Sequence, residues 1–212
     1  RVALLRDYSR SGCVPAVREG VDEAARRLEG LGAELMEIAL PELDSALGVN
    51  TTLMACELAS IVGERFEALG PEAFGPDVAA LIEAGCRIPA RAYLNAQRER
   101  ARFQRAVARA MEAADLLLFP GCGIPAPHIG QEQVEVEGVV LPPVLAIVRY
   151  TAPWNVTGQP AIALPAGFDD DGLPVSVQLA GRPFEDGALV RVAAALEAEL
   201  AERTSGRHPS IG

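Results

Sequence analysis

Hydrophobic positions along the chain switch between two periods, and the switches outline its elements. Val2-Ala-Leu-Leu5 is a continuous apolar run of the kind a buried strand shows. Pro15 suits the first position of a helix. Val17, Val21, Ala24, Leu28 and Leu31 then recur at spacings of 4, 3, 4 and 3, and Gly32 supplies a stop. Ala33 to Ile38 reads as a second strand. Strand, helix and strand in this order predict a βαβ unit with parallel pairing.

Leu43 to Leu69 predicts a mostly helical segment that Asn50-Thr-Thr52 bends or interrupts. Gly70, Pro71, Gly75 and Pro76 punctuate the chain before a short helix from Asp77 to Ala84. Pro89 opens a long helix whose apolar stripe holds Phe103, Val107, Ala110, Met111 and Ala114. Asp115 to Phe119 is an apolar strand ended by Pro120. The Gly- and Pro-rich stretch from Gly121 to Pro143 exceeds a plain connection and reads as functional or partly mobile. Ala161-Ile-Ala-Leu164 and Val175 to Leu179 read as strands joined around Asp169-Asp-Asp-Gly172, whose Asp-Gly pair is a hairpin signal. Glu185 and Asp186 favour a helix start, and Leu189, Val192, Ala193, Leu196 and Leu200 give that helix one apolar face. Thr204 to Gly212 is expected to fray. With no internal repeat and no linker, residues 1–212 are expected to form a single α/β domain with a mixed β-sheet flanked by helices.

Composition narrows the function. The 212 residues are 50% hydrophobic and 23% charged, as in soluble globular proteins. A net charge of −10 disfavours nonspecific nucleic-acid binding, so no nucleic-acid partner is expected. No uninterrupted apolar run approaches the roughly 18 residues a bilayer requires, so no membrane association is expected. The apolar part of Arg1 to Tyr8 is too short for a signal peptide, and a first residue other than Met suggests a start inside a longer product. Cys13, Cys56, Cys86 and Cys122 form no C-x-x-C and have no His pairs nearby. Neither a metal site nor a disulfide framework is expected, and a cytoplasmic location fits. No phosphate-cradling glycine motif is present, so no cofactor is expected.

Catalytic chemistry is scarce. All 19 basic residues are arginine, which removes lysine as a base. No serine lies in a Ser-Ser pair or a G-x-S-x-G elbow. His128 is the only candidate histidine base outside the polar tail, and a loop histidine without a partner more often faces solvent. No residue is therefore assigned as catalytic. Gly121-Cys-Gly-Ile-Pro125 follows a strand directly, where ligands sit in open α/β folds. Its glycines are expected either to aim N–H groups at an anion, with Cys122 lining the site, or to make a tight turn over a buried thiol. Arg98, Arg102, Arg105 and Arg109 stack along one helix, as a phosphate-facing stripe or, in so acidic a chain, a solvated face. Asn155 and Gln159 either hold a turn through backbone hydrogen bonds or touch substrate. Tyr150 and Trp154 are an apolar wall or core.

Two segments carry a resemblance. Tyr150-Thr-Ala-Pro-Trp-Asn-Val-Thr-Gly-Gln-Pro-Ala-Ile-Ala-Leu-Pro-Ala-Gly-Phe168 and Asp171-Gly-Leu-Pro-Val-Ser-Val-Gln-Leu-Ala-Gly-Arg-Pro-Phe-Glu-Asp186 look like the C-terminal signature of the amidase signature hydrolases. The likeness is strongest from Asp115 to Arg203. It extends more faintly through Pro89-Ala-Arg-Ala-Tyr93, Ala96 and Arg100, and through Arg6-Asp-Tyr8 followed by Pro15. It implies part of an α/β/α sandwich whose remaining strands belong to an N-terminal half. In this family that half carries the nucleophilic serine, a second serine in a cis peptide and the lysine. The resemblance thus implies a pocket-shaping C-terminal part, inactive alone, whose partners are the missing half and a small amide substrate. An exposed sheet edge would also favour homo-oligomers. Cys122, Ile124, Val148, Tyr150, Trp154 and Asn155 would line the substrate pocket. Members that take glutamine usually place an acid two residues before the Tyr-Thr. Val148 stands there, which argues for a neutral amide over a glutaminase of the transfer-RNA glutamine amidotransferase kind. A non-catalytic binding or accessory domain is the other alternative.

Overall fold

The computed structural model describes residues 1–204. The apolar opening forms β1 (Val2–Leu4), followed by a short helix α1 (Arg6–Arg10), α2 (Pro15–Gly30) and β2 (Leu35–Glu37). β1 and β2 pair in parallel, as the strand–helix–strand pattern predicts. β3 (Leu116–Pro120) joins the other side of β1, also in parallel. β6 (Ala161–Phe168) and β7 (Pro174–Gly181) form the expected hairpin and add antiparallel to β3. Gly172 takes the left-handed conformation in their turn, and the Asp169 carboxylate accepts the Leu173 N–H at 2.7 Å. The result is a mixed five-stranded sheet in the order β2-β1-β3-β7-β6.

Alternation along the strands divides the core in two. On one face Leu4, Leu118, Val177 and Leu179 pack with Val21 and Leu28 of α2 and with Leu196 and Leu200 of α8 (Asp186–Thr204). On the other face Leu5, Leu117 and Phe119 meet α3 (Leu43–Leu69), α5 (Ala90–Ala113) and α7 (Ala152–Thr157) through Leu43, Phe103, Val107 and Trp154. Full burial of each such side chain is worth about 1.5–3 kcal/mol, so these two layers carry the fold. Arg182, just past β7, locks α5 to the sheet. Its guanidinium donates to the Met111 and Ala114 carbonyls and to Asp115, capping the orphan end of the helix.

The structure refines the expectations at four places. Asn50-Thr-Thr52 does not interrupt α3, because the Thr51 and Thr52 hydroxyls donate back to the Leu47 and Gly48 carbonyls, each at 2.9 Å. α3 is also long and apolar enough, by length and composition, to cross a bilayer, although scattered polar residues break its apolar run. Here it packs against α4 (Pro76–Arg87), where a Cβ on Gly85 would lie 2.0 Å from the Ala55 carbonyl oxygen. Leu31 does not extend the α2 stripe. It follows the end of the helix, 47% exposed, and Gly32 turns the chain with φ of 92°. The stretch from Gly121 to Pro143 contains a hairpin, β4 (Val134–Val136) and β5 (Val139–Leu141), before α6 (Pro143–Val148). Its turn residues Glu137 and Gly138 both have positive φ, 55° and 78°. A glutamate is a poor turn signal, which hid the hairpin in the sequence. The tail expected to fray lies outside the described residues apart from Thr204, the last residue of α8.

Candidate functional site

Three segments converge at the carboxyl ends of β1 and β3: Tyr8 to Val14, Gly121 to Pro125, and the α6–α7 region. Close backbone approach explains the glycines. A Cβ on Gly123 would lie 2.6 Å from the Gly12 oxygen and 2.9 Å from the Ala146 oxygen, and one on Gly121 would lie 2.2 Å from the Ser176 Oγ. The Gly121 N–H already donates to the Ser176 carbonyl and the Gly123 N–H to the Ala146 carbonyl. These glycines therefore pack the turn and do not offer a free anion cradle. Half-buried Cys122 sits between them, and burial raises its thiol pKa, which disfavours the nucleophilic thiolate. Ile124 is buried with Val136 and Ala146 under the β4–β5 hairpin.

Tyr150 is completely buried. Its ring stands edge-on to Tyr8 with centroids 5.2 Å apart, and its hydroxyl donates to the Ser11 carbonyl at 2.7 Å. Tyr8 in turn donates to the Arg149 carbonyl at 2.6 Å. Burial pushes both phenol pKa values well above the ordinary range. The Arg149 guanidinium lies 4.9 Å from the Tyr8 ring centroid and donates to the Ser11 Oγ at 3.2 Å. Glu137, at the hairpin tip, accepts the Gly12 N–H at 2.7 Å and pairs with Arg18. Those two contacts hold its carboxyl below the usual carboxylate range. Tyr8, Ser11, Glu137 and Arg149 are the members that sequence reasoning missed, since each acts through a partner more than 100 residues away.

Trp154 stacks on Phe119 at 4.5 Å and is buried. Asn155, one residue on, is exposed and makes no side-chain hydrogen bond among the described residues. It does not hold the turn through its side chain. Instead the Gly158 N–H caps α7 on the Trp154 carbonyl, and Arg100 and Gln104 of α5 donate to the Val156 and Thr157 carbonyls. Val148 is half-buried at the end of α6. The structure thus brings Cys122, Ile124 and Tyr150 together. It leaves Val148 and Asn155 with exposed surface. A depression of about 330 Å³ opens beside this cluster at the ends of β1 and β2, lined by its members Tyr8 and Ser11 together with Leu40 and Asp44 among others. His128 is exposed, and the arginine stripe lies on the solvent face of α5, where Arg98 donates to Asn95 and Arg102 pairs with Glu99.

This architecture is a known one, and residues 1–190 match the family model described as Amidase. The chain belongs to the amidase family. An amidase from Pseudomonas putida is 37% identical over 198 residues, covering 93% of this chain and 42% of its own length. A glutamyl-tRNA(Gln) amidotransferase subunit from Myxococcus xanthus is 31% identical, covering 94% of this chain and 45% of its own. Among solved structures, a crystal structure of an amidase superposes with a TM-score of 0.86 at 31% identity, over 94% of this chain and 45% of that one. The 6-aminohexanoate cyclic dimer hydrolase superposes at 0.79 with 25% identity, over 98% of this chain and 46% of that one. The chain spans less than half the length of the curated amidase relatives it matches.

Proposed function

We propose that this chain is the C-terminal, pocket-shaping part of an amidase signature enzyme that hydrolyses a small, neutral carboxylic amide. One observation carries the reading: an amidase match across residues 1–190 in a sequence that holds no lysine and no Ser-Ser pair. Acyl transfer from an amide needs a nucleophile, a base and oxyanion donors together. The described residues offer buried phenols, a protonated thiol and engaged glycine N–H groups. In this reading the serines and the lysine come from the rest of the amidase domain. Val148 and Asn155, which keep exposed surface, and Cys122 face that domain and shape the substrate's acyl side.

A glutaminase of the transfer-RNA amidotransferase type is the second reading, favoured by the identity to the Myxococcus xanthus protein. Val148 weighs against it. An α-ammonium left unpaired beside valine costs about 1–3 kcal/mol, roughly tenfold to several hundredfold in kcat/KM. The test compares kcat/KM for glutamine with that for an uncharged amide of similar size in the full-length enzyme. The neutral amide should be preferred, and Val148→Asp should shift preference toward the ammonium-bearing one. A wild-type preference for glutamine would return the glutaminase reading.

A further inference from the structure

Glu137 is one of two non-glycine residues with positive φ among the described residues, and it stands at the tip of the β4–β5 hairpin. A side chain is strained in that conformation, which glycine or asparagine more often occupies. Such a residue persists where its surroundings over-determine it, and two contacts do so here. The Glu137 carboxylate accepts the Gly12 N–H at 2.7 Å through one oxygen and pairs with the Arg18 guanidinium of α2 through the other. Those partners lie 125 and 119 residues back along the chain.

The rest of the hairpin is held lightly. Its two strands are three residues each and pair only with one another. Val136 alone among residues 134–141 is buried, against Ile124 and Ala146, while Val139 and Val140 are exposed. A two-stranded hairpin is marginal by itself in water, so its few anchors decide where it sits. Gly12 ties the tip to a packed junction, since its carbonyl oxygen is one of the two atoms that a Cβ on Gly123 would strike. Beside it the Val14 N–H donates to the Gly123 carbonyl at 2.9 Å, and the Gly123 N–H donates to the Ala146 carbonyl at 3.1 Å. The hairpin tip, the Gly121–Pro125 turn and α6 therefore meet at one point. Cys122 sits on that turn, and Val148 ends α6.

We propose that Glu137 is a positioning residue of the amide pocket: its carboxylate latches the β4–β5 hairpin onto Gly12 and Arg18, and so fixes the turn that carries Cys122 and the helix that carries Val148. It acts through those two segments and does not meet substrate itself. The Gly12 N–H bond to a carboxylate is charge-assisted and directional, so it sets where the tip lies. The Arg18 pair is partly exposed and adds less. Contacts of this size do little for global stability, yet they govern local opening of a weakly held element. The inference rests on the partial-amidase reading above and adds to it a residue that holds the pocket in shape.

The test measures amide exchange on this chain and steady-state kinetics on the full-length enzyme. Glu137→Gly and Glu137→Asn both suit the positive φ of the turn and both withdraw the carboxylate, so loosening common to the two belongs to the lost contacts. In each, the β4 and β5 amides should exchange at least about tenfold faster, while β3 amides keep their wild-type rates. Glu137→Gln can still accept the Gly12 N–H and should stay within about threefold of wild type. In the full-length enzyme Glu137→Asn should raise KM for a neutral amide about tenfold with kcat within about twofold, and Glu137→Gln should recover most of that loss. Unchanged hairpin exchange in both variants would show that nothing is latched, and would overturn this inference while leaving the partial-amidase reading intact. Faster exchange with KM and kcat unchanged would show a latch that positions no pocket, and would overturn it equally. A fall in kcat with KM unchanged would place Glu137 in the chemistry itself, and also overturn it. A full-length wild type that hydrolyses no amide would instead remove the partial-amidase reading, and this inference with it.

Discussion

The two ends of the sheet's second face are built on opposite principles. Around β1 and β3, aromatic rings, glycine turns and the Glu137 tip interlock, and Tyr150 and Phe119 are fully buried. At β6 the same face carries Ala161, Ala163 and Pro165, all exposed. One end is densely packed and the other is open to solvent among the described residues. Neighbouring residues can therefore have unrelated roles. Trp154 belongs to the closed end, whereas Asn155, a single residue away, faces outward.

Substitutions should follow that division. Gly123→Ala should have the largest effect, about 3 kcal/mol or more in denaturant unfolding, because its Cβ would meet two backbone oxygens with no room to move. Trp154→Ala should follow at about 3 kcal/mol through loss of its stack on Phe119. Tyr150→Phe should cost about 1 kcal/mol, since it removes one hydrogen bond and leaves the Ser11 carbonyl short of a donor. Asn155→Ala should stay within about 0.5 kcal/mol, and a large effect there would erase the contrast.

The closed end should also sense alkali. Tyr8 and Tyr150 both have folded pKa values raised above the ordinary 10.0, chiefly by burial. The folded state therefore holds these protons more tightly than the unfolded state. Their contribution is fully present below pH 10 and is lost progressively as pH rises beyond it. Tyrosinate absorbance should appear together with unfolding above that pH. Ionisation of both phenols near pH 10 in a chain that stays folded would show that they are not buried as described. Glu137 behaves oppositely, since its depressed pKa withdraws stabilisation as pH falls. Its exposure makes that effect the smallest of all.

Much of this was legible in sequence. The βαβ opening, the long helix after Pro89, the Asp-Gly hairpin and the mixed sheet follow from apolar spacing and turn chemistry. Those signals are local. The site was less legible because its contacts span the chain, as in Tyr8 with Arg149 and Gly12 with Glu137. Glycines that suggested an anion cradle turned out to be close-packing positions. That distinction depends on neighbours brought in from β7 and α6, which no local pattern reveals. The α3 helix shows the same limit, since its threonines break the sequence pattern without breaking the helix.

The central claim is that this chain is an amidase part whose chemistry must be completed from outside the residues described. The direct measurement is hydrolysis of a simple neutral amide by the purified chain, alone and then together with the remainder of the Pseudomonas putida amidase. No turnover alone, with turnover appearing only in the mixture, is the predicted result. Turnover by the chain alone, persisting through repurification, would contradict it.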